Sequence, residues 1–305
     1  MLNFASFALL ALLAPPMPVI FDTDMGNDVD DALALAMLHA LESRGEIRLA
    51  AVTVTKDNIW APRYVSAVNT FYRRGAIPIG ATRSGVTPDE GYNRKALEAG
   101  RYSYSDKTDD AVAVLQRVLE AQPDASTVVI QVGFSTNLAR LLKSPGGREL
   151  VRRKVRLLSL MAGDFEKAHA EYNVKMDIAS AQFLAREWPG AMVWSGFEVG
   201  RTIKYPARSI LRDFAWAPRH PVVDAYKAYM KMPYDRETWD LTSVLYAARP
   251  EEGYFSLSEP GDVEVDAKGL TKFTPRTGGR SRYLKVDEVQ RKRALEAMIW
   301  LASQP

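Results

Sequence analysis

The chain has 305 residues, 47% of them hydrophobic, enough to bury a sizeable core and too apolar for intrinsic disorder. Forty Lys and Arg face 37 Asp and Glu, and a net charge of +3 argues against nucleic-acid and membrane-surface partners. Cysteine is absent, which excludes disulfides, thiolate metal sites and cysteine nucleophiles.

The N-terminus, MLNFASFALLALLAPPMP, carries an apolar run of the length of a signal-peptide core, too short to span a bilayer. It predicts a signal peptide over 1–16 and a periplasmic or secreted protein. Cytoplasmic retention is the alternative, because residues 2–16 lack Lys and Arg and two prolines follow LLA. PVIFDT (18–23) then reads as a buried strand, 31–43 as a helix, IRLAAVTVT (47–55) as a second strand, and APRYVSAVNTFYRRG (61–75) as a helix closed by Gly75. IPIGA, STVVIQVG, VRLLSLMAG and AMVWSG (191–196) continue the strand pattern, with DDAVAVLQRVLEAQ (109–122) and DIASAQFLAREW (177–188) as helices. Apolar strands separated by helices imply an α/β fold: a mainly parallel, Rossmann-like sheet flanked by helices, as a single domain over 17–305. Beyond residue 250, short alternating runs with Gly and Pro turns predict peripheral hairpins over 253–285, and 286–303 a terminal helix. The basic runs VRRKVR and QRKR read as solvated faces.

In such a sheet the loops at the carboxyl ends of the strands form the expected site. Four of them are polar: DTDMGNDVDD, TKDN, GFSTN and GDF. The first places five aspartates in ten positions. A helix cap explains one or two of these, whereas crowded like charges repel. A hard divalent cation removes the conflict, since Ca²⁺ takes six to eight oxygen ligands, and Gly26 lets the backbone fold around one centre.

Two families end a strand in this way. IFDTD resembles the haloacid dehalogenase-like phosphatases, which would make Asp22 a nucleophile beside Mg²⁺, but Gly26 and DVDDALAL have no part in that scheme. The broader resemblance is to the inosine-uridine-preferring nucleoside hydrolase family. DTDMGNDVDDALAL is similar to its N-terminal signature with two extra loop residues. AVTVTKDN, VGFSTNLARLL (132–142), MAGDFEKAHAEYNVKMDIASAQ (161–182) and WDLTSVLYAARP (239–250) resemble further blocks in the same order.

The resemblance implies Ca²⁺-dependent hydrolysis of the N-glycosidic bond of a nucleoside, by a dimer or tetramer. It implies that Asp24, Asp31, the carbonyl of Thr136 and Asp240 hold the ion, with Asp24 as general base. Asp30, Asn58, Glu171 and Asn173 would grip the ribose over Met161. Asp22 would orient a ligand, and Asp28 is assigned to the loop surface. The sequence also departs from the pattern. Asp57 stands where Gly is usual, and GDFEKAH is short and lacks a Gly-Asn pair. Trp239 replaces a His that many relatives carry. Leaving-group activation then falls to stacking on Trp239, which leans toward purines, or to His169 as acid; His39 and His220 are assigned structural places. A nucleoside-binding protein that has lost turnover is the alternative outside catalysis.

Overall fold

The six apolar runs become strands of one sheet in the computed structural model, which describes residues 15–305. Of the signal peptide expected over 1–16, all but the last two residues lie outside the described residues. The strands are β1 (Met17–Thr23), β2 (Ile47–Val54), β3 (Ile79–Ala81), β4 (Asp109–Asp110), β5 (Thr127–Gln131), β6 (Val155–Met161), β7 (Met192–Ser195), β8 (Lys204–Tyr205), β9 (Arg236–Glu237), β10 (Ser256–Leu257), β11 (Gly261–Val265), β12 (Thr271–Pro275) and β13 (Ser281–Lys285). The large sheet runs β12-β11-β13-β7-β6-β5-β1-β2-β3-β4, parallel from β13 to β4, while β8 and β9 form a separate antiparallel pair.

The chain lays β2, β3 and β4 on one side of β1, then returns to place β5, β6 and β7 on the other. Strand order therefore reverses between β1 and β5, and a crevice opens outside their carboxyl ends.

The C-terminal region corrects one expectation. β11 and β12 do form an antiparallel hairpin, but β13 pairs parallel with β7, so this region extends the central sheet rather than hanging from it as an appendage. Short alternating runs announce hairpins locally; pairing with a strand some ninety residues earlier leaves no local trace.

The helix Asp30–Ser43 is buried on every face from Asp30 to Leu41. Ala and Leu all round suit an element enclosed between the sheet and the helices Trp239–Ala248 and Glu288–Ala302, which pack on it. The helix predicted to close at Gly75 instead spans Trp60–Phe71. Arg73 adopts a left-handed φ of 62°, and its N–H bonds back to Thr70, so the helix stops before the glycine is reached. Among the described residues no helix is long and apolar enough to cross a membrane.

Candidate active site

After β1 the chain turns through Asp24–Val29. Gly26 has φ +113°, and a Cβ there would lie 2.0 Å from the Asn93 amide nitrogen, so only glycine fits this turn. The next helix begins with Asp30 and Asp31 in its first turn; Val29, not Asp30, holds the N-cap position. Asp240 lies in the first turn of the helix Trp239–Ala248, so two helix N-termini, each favouring anions, converge on one point. The Asp240 amide donates to Asp30 Oδ2 at 3.0 Å, and Thr23 Oγ1 donates to Asp31.

One carboxylate oxygen from each of Asp30, Asp31 and Asp240 lies within 4.8 Å of the other two, and all three residues are buried. Burial first, and neighbouring carboxylates next, push these three groups well above the usual carboxylate range. Asp24 lines the same cavity and is pushed up to about 6, chiefly by burial, against the opposing Asn27 amide at 2.8 Å. Buried oxygens this close stay together only with protons or a cation between them. An all-oxygen, all-anionic donor set fits a hard divalent cation.

Above these acids is a cavity of about 350 Å³. Met161, from the end of β6, lines its wall. Glu171 caps the helix Tyr172–Met176, accepting from the amides of Asn173 at 2.8 Å and Gly163 at 3.1 Å, and burial pushes it up to about 7. The Asn173 amide nitrogen donates to the carbonyls of Val132 at 2.8 Å and Met161 at 3.1 Å, which fixes this side chain across the ends of β5 and β6. The opposite wall is aromatic. Trp239 stacks on Phe197 at 5.4 Å and 23°, and its indole N–H donates to the Phe197 carbonyl at 3.0 Å. Gly200 packs beneath, where a Cβ would come within 2.4 Å of Trp239 Cα.

The cavity thus gathers Asp24, Asp30, Asp31, Met161, Glu171, Asn173, Trp239 and Asp240, from both ends of the chain. Other expected residues sit elsewhere. Asn58, expected on the sugar, accepts from the Trp60 amide at 2.7 Å, donates to the Pro88 carbonyl at 2.8 Å, and lines a separate hollow of about 470 Å³. It stabilises the start of the helix Trp60–Phe71, whereas Asn27 reaches the cavity alongside Asn173. Thr136 opens the helix Thr136–Lys143, where its hydroxyl donates to Asp177 at 2.5 Å; Val132 holds the cavity wall at this strand end. His169 has a side chain 45% exposed, sits 3.4 Å from Asp164 with its ring centre 4.6 Å from that of Phe197, and is not among the residues that line the cavity.

Asp28 is no loop charge at the surface. It forms a two-pronged pair with Arg236 and lines the cavity. Asp22 is wholly buried behind the site, bound by Thr53 Oγ1 at 2.5 Å and Asn137 Nδ2 at 2.8 Å, and burial pushes it up to about 7. It knits β1 to β2 and to the helix Thr136–Lys143 but does not reach the cavity, so it has no access to a phosphate. His39 is buried against Asn69 at 2.9 Å, and His220 caps the helix Pro221–Tyr229; burial lowers both to about 3.

Sequence reasoning missed four contributors. Lys56 is fully buried and donates to Asn27 Oδ1 at 2.7 Å and Asp89 at 3.1 Å. The polar strand end TKDN was the signal for it. For Tyr229 the signal was the recurrence of Tyr226, Tyr229, Trp239 and Tyr246 around helical segments, which core packing also explains; Phe197 and Arg236 had none, because the helix and strand that carry them meet only in the folded chain.

A family model described as inosine-uridine preferring nucleoside hydrolase matches residues 19–296. The pyrimidine-specific ribonucleoside hydrolase RihA of Citrobacter koseri is 27% identical over 184 residues, covering 55% of this chain and 56% of that protein, so the match spans little more than half of the relative's length. A plant nucleoside hydrolase, PpNRh1, superposes with a TM-score of 0.75 at 18% identity, over 95% of this chain and 100% of that one. The inosine-uridine preferring nucleoside hydrolase of Bacillus anthracis gives 0.74 at 18% identity, over 94% and 99%. At this level of identity the two structures establish a common fold.

Proposed function

Since the chain belongs to the inosine-uridine preferring nucleoside hydrolase family, we propose that it hydrolyses the N-glycosidic bond of ribonucleosides to free base and ribose, depends on Ca²⁺, and prefers purines. The observation that carries this reading is the meeting of Asp30 and Asp31 with Asp240, within 4.8 Å, on the wall of a cavity that also holds Glu171 and Asn173.

Asp24, Asp30, Asp31 and Asp240 are the residues that would hold the ion. Bound Ca²⁺ would supply Lewis acidity toward water and an anchor for the sugar's vicinal hydroxyls. Asp24 takes the proton from the attacking water, a role suited to a carboxylate that lines the cavity and is oriented by Asn27. Glu171 and Asn173 are held by backbone bonds before any sugar arrives, so little ordering is left for binding. Bond cleavage builds positive charge on the ribosyl ring, and a wall of carboxylates stabilises that charge more than the neutral ground state.

Incubation of the pure protein with inosine, guanosine, adenosine and uridine at saturating Ca²⁺, followed by a reducing-sugar assay, is expected to release ribose. Absence of product from all four sinks the proposal. Chelation is expected to abolish turnover, with recovery on Ca²⁺ but little on Mg²⁺, whose rigid octahedral demand suits a fixed cage poorly. Trp239→Ala should lower kcat/KM for inosine about 10-fold through lost stacking, and for uridine by less, since a smaller ring overlaps less of the indole. Equal losses would remove stacking as the source of purine preference.

A further inference from the structure

The hydrolase reading, on which this inference rests, needs a group that hands a proton to the departing base. Trp239 does not serve, because its only N–H is given to the Phe197 carbonyl. His169 packs on Phe197 and does not line the cavity. Tyr229 does line it, on the aromatic side with Trp239.

The Tyr229 phenol oxygen accepts a hydrogen bond from Arg236 Nη2 at 3.1 Å, and among the described residues no acceptor takes the phenol's own hydrogen. Arg236 is in turn fixed by its two-pronged pair with Asp28, and its guanidinium lies 5.3 Å from the centres of both the Tyr229 and Trp239 rings. The Tyr229 ring stands edge-on to Tyr92 at 6.1 Å. A phenol so placed has one lone pair engaged by a cation and an O–H left to point at a ligand.

We propose that Tyr229 donates the proton that the leaving nucleobase takes up, with Arg236 as the positioning residue that holds the phenol oxygen and stabilises the phenolate. Water oxygen bonds to C1′ and gives its proton to Asp24. The electrons of the C1′–N bond pass to the base, and the Tyr229 proton follows them onto a ring nitrogen. The proton on Asp24 returns to the phenolate through solvent, so nucleoside and water yield ribose and neutral base.

The test compares inosine with p-nitrophenyl riboside, whose phenolate departs without protonation. Tyr229→Phe keeps the ring and its packing and is expected to raise the ratio of nitrophenyl riboside to inosine turnover about 100-fold. Arg236→Gln should raise it in the same sense by a smaller factor, with partial return in Arg236→Lys. An unchanged ratio in Tyr229→Phe, whether both activities fall together or neither falls, overturns the proposal. A wild-type protein that cleaves the nitrophenyl riboside but no nucleoside also overturns the donor role while leaving the glycosidic chemistry intact. Cleavage of neither takes the hydrolase reading down as well.

Discussion

Asp24→Ala is expected to lower kcat on inosine by about 10³- to 10⁴-fold, the range over which a positioned general base acts. Asp24 lines the cavity and is oriented by Asn27 at 2.8 Å. Asp30 and Asp31 are engaged by the Asp240 amide and Thr23, so neither is free to replace it. Asp22→Asn is the informative contrast. It perturbs a side chain sealed behind the sheet, so thermal stability should fall while kcat changes by less than about 10-fold. Steady-state rates for both variants at saturating Ca²⁺ check the pair, and a reversed order would transfer the catalytic role to Asp22.

The second large effect is on stability. Stripped of cation by a chelator, the protein is expected to melt about 10 °C lower at pH 8.5 than at pH 6.5. Asp30, Asp31 and Asp240 are held well above the ordinary carboxylate range, so the native state keeps protons that the unfolded chain has already lost, and Asp22 and Glu171, at about 7, give theirs up within this window. Stability therefore falls as pH rises, by about 1.4 kcal/mol per pH unit for each proton so held. Buried His39 and His220, lowered to about 3, oppose this trend only at the lower end of the window, where unfolded imidazoles with their ordinary 6.5 are still partly protonated. Saturation with Ca²⁺ should raise Tm and flatten its pH dependence, because a cation then does what the protons did. Calorimetric scans across the window measure both slopes. Equal slopes with and without Ca²⁺ would separate these carboxylates from cation binding.

The carboxylate cluster was legible in the sequence because its chemistry is local: apolar strand, acidic turn, then helix, with a second acidic block near residue 240. The alternation of strands and helices was legible for the same reason, each element carrying its own periodicity. Asn58 lies outside the cavity, where it accepts from the Trp60 amide at 2.7 Å; a side chain that bonds the start of a helix and one that grips a sugar look alike in sequence. Asp28 was read as a solvated charge because its partner, Arg236, lies 208 positions away. The joining of β13 to β7 was hidden likewise, since parallel pairing over such a distance depends on the whole sheet.

The enclosed helix Asp30–Ser43 ties the timing of folding to the far end of the chain. Its outer face is covered by Glu288–Ala302, and Arg44 at its end rests 4.4 Å from the ring centre of Trp300. A ribosome that has released only the first 280 residues therefore presents a greasy, half-bare rod bearing the acidic pair. Chains that stop before this covering helix are natural prey for proteases and holdases.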